Sequence, residues 1–160
     1  MGEFITGVLT RNAPGAQYEG AVYDRWITLQ HASGVSLKIF DRFLPIGTEL
    51  AVGTRYEVIV SALVPIGVAI FSAAPPELPQ GWWEGTIREL EWRAAAPAAY
   101  RYAQADFATG SWLLVETQVG SLLMAPRAVR EAALAGGKTA LQVGDSIQWD
   151  STRLDLQAVL

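Results

Sequence analysis

Residues 27–42 read ITLQHASGVSLKIFDR. Aliphatic side chains recur at every second position, at Ile27 and Leu29 and again at Val35, Leu37 and Ile39. Successive side chains on a strand point to opposite faces, so strict alternation marks a half-buried β-strand. His31 to Gly34 separates the two runs and reads as a turn. Trp26, Thr28, Gln30, Ser36, Lys38 and Phe40 fall on the other side of this ribbon. One side is core. The other carries an aromatic pair and a cation, and is either a binding face or the outside of a small β structure.

The rest of the chain extends this pattern. Strand-like runs are EFITGVLTR, AVYDRWITLQ, VSLKIFD, RYEVIVSAL, VAIFS, WEGTIRELEW, YRYAQADF, SWLLVET, SLLMA, SIQWD and RLDLQAV. They are rich in Val, Ile, Thr and aromatics and are bounded by Gly, Pro, Asn and Asp. The main helical signal is PRAVREAALAGG, residues 126–137. There Pro126 suits the first turn, Ala, Arg, Glu and Leu favour helix, and Gly136-Gly137 ends it. The fold class is therefore all-β with one short helix.

Length and composition bound the rest. A chain of 160 residues holds one domain or two small ones. Hydrophobic residues make up 51% and charged residues 18%, so a packed core is expected rather than disorder. The absence of cysteine removes disulfides, thiolate metal sites and cysteine nucleophiles together. The N-terminal MGEFITGVLTRN lacks the basic and apolar regions of a signal peptide. The longest apolar stretch, residues 58–71, is broken by Pro65 and Gly67 and falls short of the roughly 20 residues a spanning helix needs. A soluble, cytoplasmic protein with no membrane partner is expected. Net charge is −4, and ten of the twelve cations are Arg. Binders of polyanions commonly carry a basic face, so any affinity for nucleic acid must rest on segregated charge.

Three of the eight prolines lie in SAAPPELPQG, residues 72–81. Proline lacks a ladder donor, so this stretch does not sit inside a sheet. It divides the chain into residues 1–73, a linker at 74–81, and residues 82–160. The halves share an order of cues: Gly-strand, Trp-led strand, Gly-turn-strand, Val-Gly, closing hairpin. Hydrophobic-x-Val-Gly occurs at residues 50–53 and again at 141–144.

This order resembles the oligonucleotide/oligosaccharide-binding fold, or OB-fold. Gly7, Leu29, Gly34, Leu37, Phe40, Val52 and Gly53 carry the resemblance in the first half, and Gly85, Leu114, Gly120, Leu123, Val143 and Gly144 in the second. The helix at 126–137 falls between the third and fourth strands, where OB-folds place theirs. The first half departs from the pattern, because DRFLPIGTEL is too short and too rich in Pro and Gly for a helix. The resemblance implies two tandem five-stranded OB-like barrels. It also implies a ligand groove on the outer face of the second and third strands.

Catalytic chemistry finds little support. His31 is the sole histidine, too few for a transition-metal site. Asp145, Asp150 and Asp155 lack the spacing of a calcium loop. Ser33 lies two residues from His31, but Gly-x-Ser-x-Gly is absent. The AGGKTA stretch follows a helix instead of opening one, which reads as a helix C-cap with Lys138 near the dipole's negative end. No enzyme, cofactor or metal is expected.

The aromatics remain. If the strands at 26–30 and 35–40 pair, Trp26, Lys38 and Phe40 share the outer face, with Arg25 and Arg42 at its edge. Tyr100 and Tyr102 flank Arg101 and extend the track. Such side chains stack bases and meet phosphates. The competing reading sets the aromatics in contact between the two halves. The expectation is a non-enzymatic binding module for single-stranded nucleic acid. The alternative is a protein-interaction or assembly module, with a protein partner or a homo-oligomer in place of nucleic acid, because Trp, Tyr and Arg are also the residues of protein hot spots.

Overall fold

The computed structural model describes residues 4–41, 49–92 and 112–160. In the first half the strands are β1 (Phe4–Pro14), β2 (Gln17–Tyr18), β3 (Ala21–Val22), β4 (Arg25–Gln30), β5 (Ser36–Asp41), β6 (Arg55–Val60), β7 (Val64–Ile66) and β8 (Ala69–Phe71). In the second they are β9 (Trp83–Trp92), β10 (Trp112–Thr117), β11 (Gly120–Met124), β12 (Ser146–Trp149), β13 (Ser151–Arg153) and β14 (Leu156–Val159). Among the described residues one helix occurs, α1 (Arg127–Ala135). No helix among them is long and apolar enough to cross a membrane.

The strands form two five-stranded sheets and two short pairs. The first sheet runs β14-β6-β1-β4-β5 and the second β11-β10-β9-β12-β8. The pairs are β2 with β3 and β7 with β13. All ladders are antiparallel. The alternation in residues 27–42 sets the β4–β5 register, with Ile27 opposite Ile39 and Leu29 opposite Leu37. A one-residue slip of either strand would turn that strand's two apolar side chains outward, whereas in this register all four face the core. They are fully buried.

The closing hairpin expected in each half does not form. β6 takes β14 as its outer neighbour, and β12 takes β8. Each sheet thus contains one strand from the other side of residues 74–81. β7 and β13 cross where the two excursions meet, with Thr152 opposite Pro65. Two isolated parallel bridges accompany the exchange: Phe40 with Asp155, and Leu63 with Met124.

One contiguous apolar cluster joins the sheets. It includes Leu9, Ile27, Leu37, Val58 and Val60 from the first, Ile87, Leu113, Val115, Ile147 and Trp149 from the second, and Leu154 and Leu156 from the exchanged segment. Burying a side chain of this size is worth about 1.5–3 kcal/mol, so the exchanged residues are as firmly placed as the sheets that receive them. Trp83, Trp112 and Trp149 are core residues, which accounts for half of the six tryptophans.

The helix falls where PRAVREAALAGG placed it, with Pro126 at its N-cap and Gly136 at its C-cap. Gly137 follows at φ +78, and Lys138 closes the end by donating its backbone N–H to the carbonyl of Ala133 at 2.8 Å.

The candidate binding face

Three expected site residues come together on the outer face of the first sheet. Trp26 lies directly opposite Phe40, and Thr28 opposite Lys38. The rings of Trp26 and Phe40 stack with centroids 4.6 Å apart and planes at 28°. The Lys38 ammonium lies 4.6 Å from the Trp26 centroid. An offset pair of this kind contributes about 0.5–1.5 kcal/mol beyond its burial, and an exposed cation over a ring about 0.5–1 kcal/mol. Both rings remain half-buried.

β1 widens this face. Ala13 pairs with Trp26, and Arg11 with Thr28, across a register shift between Leu9 and Arg11. The bulged residue is Thr10, and it lets buried Leu9 and exposed Arg11 face opposite ways although both numbers are odd. A shallow depression of about 240 Å³ lies between Arg11, Ala13, Pro14, Trp26, Thr28 and Lys38. On β6, exposed Arg55 is opposite Val8. Arg11, Lys38 and Arg55 make no ion pair with a described residue. The outward positions of β1, β4 and β5 carry no carboxylate, so a chain of net charge −4 sets two cations, Arg11 and Lys38, beside one aromatic pair. Arg55 lies two strands from β4, level with Gln30, with exposed Glu57 two residues on along the same face.

The other expected residues fall elsewhere. Arg25 follows the parity of Ile27 and Leu29, so it faces away from Trp26, and its Nε donates to Asn12 Oδ1 at 2.9 Å. Arg42, Tyr100, Arg101 and Tyr102 lie outside the described residues. Residues that alternation alone does not single out are Arg11, Arg55, Tyr18 and Tyr23. Tyr18 and Tyr23 are 65% and 55% exposed, on the small β2–β3 hairpin leading into β4. Its turn residues, Glu19 and Gly20, both take positive φ, at 49° and 79°, as a two-residue hairpin turn requires.

The second sheet has a counterpart of this face, with different character. Leu9, Leu29 and Leu37 form one row across β1, β4 and β5. Ile87, Val115 and Leu122 form the matching row in β9, β10 and β11. Counting from these rows, Trp26, Thr28, Lys38 and Phe40 correspond to Trp112, Leu114, Leu123 and Ala125. Trp112, Leu123 and Ala125 are all buried. The open face is therefore a property of the first sheet.

The groups weighed for catalysis resolve into local structure. His31 Nδ1 accepts the Ser33 N–H at 3.0 Å and lies 2.8 Å from Ser33 Oγ. These contacts shape the 31–35 turn, where the His31 N–H reaches the Val35 carbonyl at 2.9 Å. Lys138 Nζ bonds Asp145 Oδ2 at 3.2 Å and Ser72 Oγ at 3.0 Å, tying the end of α1 to the 142–145 turn. Among the described residues no three His, Asp or Glu side chains gather in a way that could hold a metal.

Fold and site together define an all-β protein with two strand-exchanged sheets and one open aromatic, cationic face. Comparison of the chain with protein-family models, with curated proteins and with solved structures returned no match.

Proposed function

We propose that the protein is a non-enzymatic binding module that takes single-stranded nucleic acid on the outer face of β1, β4 and β5. The observation that carries this reading is the stacked Trp26–Phe40 pair with Lys38 and Arg11 beside it and no outward carboxylate on those three strands. A base stacked on an aromatic ring gains about 1–3 kcal/mol whatever its identity. The cations meet the phosphates between bases. Tyr18 and Tyr23 extend the aromatic surface beyond the Trp26 end.

The same reading makes each five-stranded sheet a small OB-like barrel. Its support is the pair of isolated parallel bridges. Phe40–Asp155 brings β5 against the segment entering β14, and Leu63–Met124 brings β11 against the segment entering β7. The first bridge joins the two ends of its sheet's strand order; the second brings β11 against Leu63, which leads through β7 to β8 at the other end of its sheet. The doubled backbone turns at Gly53 and Gly144 support a tandem arrangement.

A second reading, docking of a protein partner, is favoured by one feature. The Phe40 ring and the Lys38 ammonium already occupy π-surface of Trp26 that a base would use.

Tryptophan fluorescence during titration with oligo-dT and with a matched duplex separates the two. With Arg11 and Lys38 engaged, single-strand affinity should fall roughly sevenfold between about 50 and 200 mM salt. Absence of quenching at the lower salt would overturn the nucleic-acid reading, and saturation by a protein ligand on the same residues would establish the second.

A further inference from the structure

The peptide unit between Leu154 and Asp155 is held on both sides by the first half of the chain. Its carbonyl, that of Leu154, accepts the backbone N–H of Phe40 at 2.9 Å. Its N–H, that of Asp155, donates to Ser61 Oγ at 3.0 Å. The next carbonyl, that of Asp155, accepts the Ser61 N–H at 2.9 Å. Ser61, Leu154, Asp155 and Leu156 are all buried. One peptide plane near the chain's C-terminal end thus spans from Ser61 to Phe40, the residue whose ring stacks on Trp26.

We propose that this exchanged strand is part of the binding device. Docking of residues 154–160 fixes the backbone of Phe40, and with it the ring surface offered to the ligand. Ser61, in the segment that follows β6, is a positioning residue acting through the Leu154–Asp155 peptide. The inference rests on the reading that single-stranded nucleic acid binds this face. By thermodynamic linkage the dependence is mutual: a docked strand tightens ligand binding, and bound ligand holds the strand to the same degree. Alternation explains why Phe40 can serve both ends. Its side chain lies on the outer face while its N–H points along the sheet toward Leu154.

The test uses the full chain, with oligo-dT as probe. Amide hydrogen exchange is followed at Phe40, Asp155 and Leu160, whose N–H groups bond to Leu154, Ser61 and Glu57. Saturating oligo-dT should slow exchange at all three in the wild type. Ser61→Ala removes the acceptor of the buried Asp155 N–H and should speed exchange at Phe40. It should also weaken oligo-dT binding by about fivefold, the low end of ordinary coupling between sites. Ile5→Val loosens the same core without touching that peptide, and should leave the affinity unchanged. If wild type binds but neither its exchange pattern nor the Ser61→Ala affinity moves, the inference is overturned while the binding face stands. An equal loss in Ile5→Val and Ser61→Ala also overturns it, since general loosening would then explain both. If wild type does not bind oligo-dT, the proposed function falls and this inference falls with it.

Discussion

Gly53 and Gly144 occupy the same place in two different turns. Gly53 donates its N–H to the carbonyl of buried Leu9 at 2.7 Å, and Gly144 to that of buried Ile87 at 2.8 Å. The following residues, Thr54 and Asp145, accept from Leu9 and Ile87 through their carbonyls, each at 2.9 Å. Both glycines hold φ near +90°, at 90° and 94°. The Val-Gly pairs therefore mark where the chain folds back onto β1 and β9.

An alanine at either glycine should cost a similar amount. A Cβ there would meet nothing within 4 Å, so the penalty is backbone strain alone, about 1–2 kcal/mol. Chemical denaturation of Gly53→Ala and Gly144→Ala measures it. A loss well above that range would mean that contacts, and not φ, hold the glycines in place.

Gly85→Ala should be the more damaging of two other glycine changes. A Cβ at Gly85 would lie 2.5 Å from Val115 Cγ1 and 2.8 Å from the Glu116 carbonyl oxygen. At Gly7 the nearest atoms are the Gln30 carbonyl oxygen at 2.9 Å and Leu29 Cβ at 3.0 Å. Forcing a methyl group into such space costs about 1–3 kcal/mol. Midpoints in urea should fall for both and fall further for Gly85→Ala.

Removing single groups from the binding face should separate stacking from charge. Trp26→Ala and Phe40→Ala should each weaken oligo-dT binding by the worth of a stacked base, about 1–3 kcal/mol. Lys38→Ala should weaken it less, and reduce the slope of log affinity against log salt by about 1. An unchanged slope would mean that Lys38 serves Trp26 and not the phosphates.

Lys138 secures the end of the helix. Asp145 is almost wholly buried, and its Oδ2 also accepts the Gln142 N–H at 2.9 Å. Lys138→Met would leave that carboxylate without its cation, and stability should fall by about 1–3 kcal/mol. Asp145→Asn keeps an acceptor for Gln142 and should lose less. The reverse order, read from thermal or urea unfolding, would show that Gln142 and not Lys138 carries the interaction.

Much of this architecture was legible because it is local. Alternation at Ile27, Leu29, Leu37 and Ile39 determined face and register, and Trp26, Lys38 and Phe40 followed from it. The helix was readable from Pro126 and Gly136-Gly137. Strand partners were not, because β6 and β12 present the same kind of edge to any strand of suitable pattern. Nothing in residues 63–71 or 154–160 states which sheet will receive them. Arg11 was hidden by the bulge at Thr10, which breaks the alternation that sequence reading relies on. Arg25 sits on the parity of the core, and its bond to Asn12 depends on the β1–β4 register.

Severing the Pro-rich stretch offers a direct check on the exchange. The exposed backbone around Glu77 can take a protease site, although Gln148 Nε2 holds the Pro76 carbonyl at 3.1 Å. After cleavage the two fragments should co-elute on size exclusion and part only in denaturant. Separation in buffer alone would contradict the pairing of β8 with β12 and of β14 with β6.

The same exchange sets a timetable for synthesis. β6 ends at Val60, but its outer neighbour β14 begins at Leu156. A ribosome making this chain therefore releases β1, β4, β5 and β6 long before their last companion exists. During that interval one side of β6 presents bare backbone N–H and C=O groups, the kind of edge that invites pairing with other nascent chains. The first half emerges first and is finished last.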